Sequence, residues 1–126
     1  MVPVFRDDAD QLSAQPYCVS ILTTPAVNRG AVANNEPGRL HEVPDAMLGR
    51  IEKLLSIAVL HGYENLVLGA WGCGVFRNDP GEMAAWFYAH LGKGGRFENA
   101  FKSVRFGVLD FHRDETTYKP FAKQFR

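Results

Sequence analysis

The run Leu66-Val67-Leu68-Gly69-Ala70-Trp71-Gly72-Cys73-Gly74-Val75-Phe76-Arg77-Asn78-Asp79-Pro80 constrains the fold more than any other part of the chain. Leu66 to Ala70 is an apolar stretch of strand length. Gly72 and Gly74 then free the backbone to turn sharply and let a ligand come close. Asp79-Pro80-Gly81-Glu82 follows as a helix start, with Asp79 at the N-cap, Pro80 at the first helical position and Glu82 at the third. Amides left free at such a loop and helix start form an anion site, and a phosphate or diphosphate is the natural guest. The competing reading is an ordinary strand–turn–helix junction with glycines for packing. The run is neither a Walker loop, which ends in Gly-Lys-Ser/Thr, nor a dinucleotide Gly-x-Gly-x-x-Gly.

The rest of the chain alternates around this junction. Tyr17 to Thr24 is rich in strand formers, and Pro25 ends its pairing. Asn28 to Pro44 carries Gly30, Asn34-Asn35, Pro37 and Gly38 and predicts a long loop. Met47, Leu48, Ile51, Leu54, Leu55, Ala58 and Val59 stand at helical spacing, closed by Gly62. A second helix is predicted from Pro80 to Leu91, with Met83, Trp86, Phe87, His90 and Leu91 on one side. Gly92-Lys93-Gly94-Gly95 behind it reads as a stop signal. Ser103 to Asp110 alternates as a last strand, with Val104, Phe106, Val108 and Leu109 inward. Strand and helix in alternation imply right-handed crossovers and a mainly parallel sheet. In such sheets ligands sit beyond the carboxyl ends of the strands. The loops Thr24–Asn28 and Trp71–Asn78 both leave strand ends, so both are expected to face one ligand.

Composition narrows the function classes. One domain over residues 1–126 is expected at this length and 46% apolar content. Fourteen basic and fourteen acidic residues cancel, so no basic field draws in nucleic acid. The basic clusters at Arg96–Arg105 and Arg113–Arg126 read as solvated faces. No apolar run reaches membrane-span length. Cys18 and Cys73 are two isolated cysteines, too few for a disulfide framework or a zinc site, and they suit a reducing cytoplasm. His41, His61, His90 and His112 lie in different predicted elements and no pair has metal spacing, so no metal site is expected. Cys73 as a nucleophile would need a lowered pKa; a small residue in a tight loop is the simpler role. Asp7-Asp8 sits in a polar segment and is expected to face solvent.

Gly69-Ala70-Trp71-Gly72-Cys73-Gly74-Val75-Phe76, with Asn78-Asp79-Pro80 behind it, resembles the signature of the microbial-type poly(ADP-ribose) glycohydrolases, which have the macrodomain fold. Val2-Pro3-Val4-Phe5-Arg6-Asp7-Asp8 and Val19-Ser20-Ile21-Leu22-Thr23-Thr24-Pro25-Ala26-Val27-Asn28 resemble two further stretches of that family. The three segments come in the family's order. They span nearly the whole chain but correspond only to the C-terminal part of the family's domain. The resemblance implies a macrodomain-like α/β fold, a mainly parallel sheet flanked by helices, in incomplete form. In the family's sheet a strand from upstream lies between strands equivalent to two of those here. An open edge, able to pair with another chain, is therefore expected.

The resemblance also implies recognition of ADP-ribose or of an ADP-ribosylated protein, without a cofactor. Gly72, Cys73, Gly74 and Val75 would offer amides to the diphosphate, and Phe76 would pack over a ribose. Arg77 could add charge to a phosphate, although the family pattern carries glycine there. Asn78 could hydrogen-bond the ligand or simply introduce the helix. Pro25, Ala26 and Asn28 match the family loop near the nucleotide, with Asn28 equally readable as a turn residue. Phe5 matches an aromatic residue beside the adenine. The family's catalytic signature, three glycines followed by Gln-Glu-Glu, lies upstream of the Val-Pro-Val-Phe segment. Neither motif occurs in this chain. No catalytic residue is therefore assigned, and the chain alone is expected to be inactive in glycosidic hydrolysis. The alternatives are a non-catalytic binding module, or a fragment that needs a second half.

Overall fold

The computed structural model describes every residue from Met1 to Arg126. In chain order the elements are β1 (Val2–Arg6), β2 (Leu12–Val19), α1 (Arg29–Asn35), a 3-10 helix (Pro37–Glu42), α2 (Val43–Leu60), β3 (Asn65–Leu68), α3 (Pro80–Leu91), β4 (Ser103–Phe106) and α4 (Tyr118–Phe125). The architecture is α/β with small sheets flanked by helices, the incomplete macrodomain-like arrangement expected.

The helices at the centre form for the reasons their sequences suggest. In α2 the buried residues Val43, Met47, Ile51, Leu55 and Ala58 recur every three or four positions, one stripe along the helix. The helix stops at Gly62, which has φ +71°. There the Tyr63 amide donates to the Ala58 carbonyl and the Gly62 amide to Val59, a Schellman closure. In α3, Met83, Ala84 and Phe87 are buried. Its exit is tight: a Cβ on Gly92 would come within 2.6 Å of the Tyr88 ring. His90, in the last turn, packs its imidazole at 3.0 Å from the Leu48 carbonyl and so ties α3 to α2.

β3 and β4 pair in parallel, from Asn65 opposite Ser103 to Leu68 opposite Phe106, with α3 as the crossover. The core lies against this pair. Phe106 stands at its centre, with ring centroids 5.3 Å from Phe87, 5.2 Å from Phe121 and 4.4 Å from Phe125. Phe121 and Phe125 come from α4, inside a segment read from its charges as a solvated face. Lys119, Lys123 and Arg126 are indeed exposed, and Phe121 between them is buried. No helix is long and apolar enough to cross a membrane.

Four expectations are corrected. The strand predicted over Tyr17–Thr24 is displaced toward the N-terminus. β2 runs from Leu12 to Val19 and pairs antiparallel with β1, so the sheet is parallel only at β3–β4. The Asp7 carboxylate holds the intervening turn by accepting from the Ala9 and Gln11 amides. Ser20–Thr24 has no strand beside it and carries no ladder. The predicted loop over Asn28–Pro44 is mostly helical. Asn28 caps α1, and Arg39 pairs with both Glu36 and Glu42 across the 3-10 helix. Val32 and Leu40 pack on the core, which overrides the weak helix propensity of the glycines and asparagines. Finally, β3 ends at Leu68 and β4 at Phe106, and Leu109 is 75% exposed rather than inward.

Candidate functional site

Two loops meet beyond the carboxyl end of β3. Trp71–Asn78 follows that strand, and Thr24–Arg29 leads into α1. Three hydrogen bonds join them. The Trp71 indole donates to the Thr24 carbonyl at 3.1 Å, the Asn78 side-chain amide to the Val27 carbonyl at 2.8 Å, and the Gly30 amide to the Phe76 carbonyl at 3.0 Å. Pro25, Ala26 and Asn28 therefore do lie beside Gly72–Asn78.

Asn78 is the hinge of this arrangement. It is 2% exposed, and its amide nitrogen also reaches the Gly72 carbonyl at 3.3 Å. Its Oδ1 is buried without a hydrogen-bond partner. Gly72 has φ +74°, and a Cβ there would meet Asn78 Nδ2 at 2.5 Å and the Ala26 methyl at 2.6 Å. Both the left-handed backbone and the close approach demand glycine. Gly74 differs: an added Cβ would meet nothing within 4 Å. The fold's own packing therefore does not need a glycine at Gly74.

The loop's amides divide into used and free. Those of Trp71, Cys73, Arg77 and Asn78 donate to the carbonyls of Gly69, Ala70, Gly74 and Gly72. The amides of Gly72, Gly74, Val75 and Phe76 donate to no protein acceptor. The Cys73 amide, assigned from sequence to a diphosphate, is thus internal to the loop, while that of Phe76 is available. α3 begins directly behind these donors. The Asp79 side chain accepts from the Glu82 amide at 2.8 Å, the cap the sequence predicts. Glu82 does not complete a capping box; its carboxylate pairs with Arg29 at the start of α1. Arg29 is a site-flanking residue that the sequence gives no signal for.

The remaining candidates take distinct places. Asn28 caps α1 by accepting from the Ala31 amide at 2.9 Å. The Pro25 carbonyl accepts from Arg50 at 2.8 Å, and Ala26 is buried against the core. Phe76 is half-buried against the core, and Val75 is exposed. Arg77 has φ +57°, a conformation that favours glycine, and its side-chain stem lies over Gly30. Phe5 is half-exposed on β1 beneath the Arg6 guanidinium and outside the core. Burial, with a smaller push from the Asp79 charge, raises the Cys73 thiol to about 11, away from thiolate chemistry. No group of three His, Cys, Asp or Glu residues is arranged to hold a metal.

No family model and no curated protein matches the chain. Solved structures do. The poly(ADP-ribose) glycohydrolase of Deinococcus radiodurans in complex with ADP-ribose is 44% identical, with a TM-score of 0.90, over 97% of this chain and 48% of that one. The apo form of that enzyme gives 44% identity and a TM-score of 0.88, over 97% of this chain and 49% of that one. The enzyme of Thermomonospora curvata is 44% identical, with a TM-score of 0.88, over 98% of this chain and 44% of that one. The chain thus spans about half the length of the solved proteins it matches. In sequence and fold together it matches a C-terminal portion of the microbial poly(ADP-ribose) glycohydrolase family.

Proposed function

We propose that this chain carries the diphosphate-binding side of an ADP-ribose site, and that it recognises ADP-ribose, free or attached to protein, without cleaving it alone. The observation that carries this reading is the set of free amides at Gly72, Gly74, Val75 and Phe76, beside the capped start of α3. Four unpaired donors on one loop, followed in the chain by a capped helix start, suit a dianionic group. The ADP-ribose complex of the Deinococcus radiodurans protein supports the choice of ligand. Phe76 and Arg77 flank these donors, where an aromatic face and a cation suit a ribose and a phosphate. A cytoplasmic setting, with its reduced thiols, suits the unpaired Cys18 and Cys73. With equal acidic and basic charge, direct nucleic-acid binding forms no part of this reading.

The test is calorimetric titration of the folded chain with ADP-ribose. Weak binding is expected, and Gly74→Val should weaken it further by about tenfold or more as a branched side chain blocks approach to the amides. Because a Cβ at Gly74 meets no protein atom, the variant should fold like the parent. Absence of heat at millimolar ADP-ribose, in protein shown to be folded, would sink the reading.

A further inference from the structure

Four charged side chains belong to the segments that carry the free amides and lead into α1 and α3: Arg29, Arg77, Asp79 and Glu82. Two of the four are carboxylates, which repel an anion at such a place. Asp79 is compensated by the helix it caps, since it accepts from the Glu82 amide at 2.8 Å. Its charge still reaches the loop, where it adds to burial in pushing the Cys73 thiol up to about 11. Glu82 has no such compensation from the backbone. No amide donates to its carboxylate, and Arg29 alone meets it.

The Arg29–Glu82 pair is set against the loop. The Gly30 amide, next in the chain to Arg29, donates to the Phe76 carbonyl at 3.0 Å. The pair also joins α1 to α3, the two helices that the site loops lead into. Arg29 is the least exposed cation in any ion pair of the chain, at 35% of its side chain, with Glu82 at 42%. Water therefore screens this pair less than the more open pair of Lys102 with Glu64. Arg77 forms no ion pair; its stem lies over Gly30. Without Arg29, one cation and two carboxylates would surround a site for a dianion.

We propose that Arg29 is a charge-shielding residue of the diphosphate site: by holding the Glu82 carboxylate, it sets the affinity of the Gly72–Phe76 loop for phosphate charge without touching the ligand. The inference rests on the reading of that loop as a diphosphate site. It makes Arg29 a positioning residue that acts through Glu82, and it makes the ligand's charge, rather than its sugar or base, the property that Arg29 controls.

The test is a double-mutant cycle on the full chain, read by calorimetric titration with ADP-ribose and, separately, with inorganic pyrophosphate. Arg29→Met should weaken both ligands about tenfold at low salt, and by less as salt is added. Arg29→Lys keeps the charge and should keep most of the affinity. Glu82→Gln should bind more tightly than the parent, because it frees Arg29, and the double variant Arg29→Met with Glu82→Gln should return to the parent's affinity. The sign for Glu82→Gln separates charge from architecture: a pair that served only to tie α1 to α3 would make this variant weaken binding as Arg29→Met does. A pair this open to water adds little to stability, so each variant should keep the parent's thermal unfolding. If Arg29→Met does not fold, Glu82→Gln alone decides. Unchanged or weaker binding by Glu82→Gln, or a loss in Arg29→Met that salt does not reduce, would overturn the proposal. So would a double variant that fails to recover, which would put Arg29 on the phosphate itself. If the parent binds pyrophosphate but not ADP-ribose, the nucleotide reading fails and the cycle with pyrophosphate still decides this one. If it binds neither, both fall.

Discussion

Gly72 and Gly74 are two residues apart and answer to different demands. Gly72 holds a left-handed backbone against Ala26 and Asn78, where any side chain collides. Gly72→Ala should therefore destabilise the fold by about 2–5 kcal/mol, the sum of left-handed strain and overpacking. The check is the shift in urea midpoint relative to Gly74→Val, which should unfold near the parent's midpoint. Equal midpoints for the two variants would show that the Ala26–Gly72–Asn78 contact is not what holds the loops together. From sequence the two glycines look alike, because nothing local says that Asn78, six residues on, folds back against one of them. Arg77 shows the same limit. Its place in the motif is readable, but its positive φ, the physical reason a glycine suits the position, is visible only in the structure.

At the scale of elements, Asp79 connects stability to reactivity. It caps α3, and its charge adds to the burial that pushes the Cys73 thiol up to about 11. Asp79→Ala should cost about 1 kcal/mol through the lost cap, whereas Asp79→Asn retains an N-cap and should cost little. Removing the negative charge lowers the cost of a Cys73 thiolate, so Asp79→Asn should also speed its alkylation. In the parent protein the alkylation rate of Cys73 should climb with pH up to about 11, with the exposed Cys18 modified first. Mass mapping of iodoacetamide adducts across pH separates the two thiols; a Cys73 rate that levels off near neutral pH would contradict this account. The capped helix was legible because its determinants are consecutive in sequence. α2 was legible through its buried stripe, and β3 and β4 through short apolar runs. β1, β2 and α1 were not. Whether Tyr17–Thr24 pairs depends on which strand lies beside it, and here only Tyr17–Val19 find one. α1 depends on Val32 reaching the α2 core, a tertiary contact that outweighs the loop-like residues around it.

At the scale of the whole molecule, the proposed reading separates binding from catalysis. Cleavage of a glycosidic bond needs an acid placed at the anomeric carbon, and such a group supplies about 10²–10⁴-fold in rate. Seven of the chain's fourteen carboxylates are engaged elsewhere. Glu82 pairs with Arg29, Glu52 with Arg96, Glu64 with Lys102, and Glu36 and Glu42 with Arg39. Asp79 caps α3, and Asp110 accepts from the amides of His112, Thr117 and Tyr118. Two carboxyls depart clearly from their ordinary pKa, Glu42 through Arg39 and Asp110 through these amides. Both are pulled down, opposite to what an acid working at neutral pH requires. None of these groups stands on the Gly72–Asn78 loop beside the free amides. We therefore expect the purified chain to release no measurable ADP-ribose from labelled poly(ADP-ribose), even at concentrations where it binds the nucleotide. The comparison is with the full Deinococcus radiodurans enzyme at equal concentration. Turnover approaching that enzyme's would mean that a carboxylate assigned here to a cap or an ion pair moves to the ribose, and substituting Asp79, which directly follows the loop, and then Glu82 would be the first place to look for it.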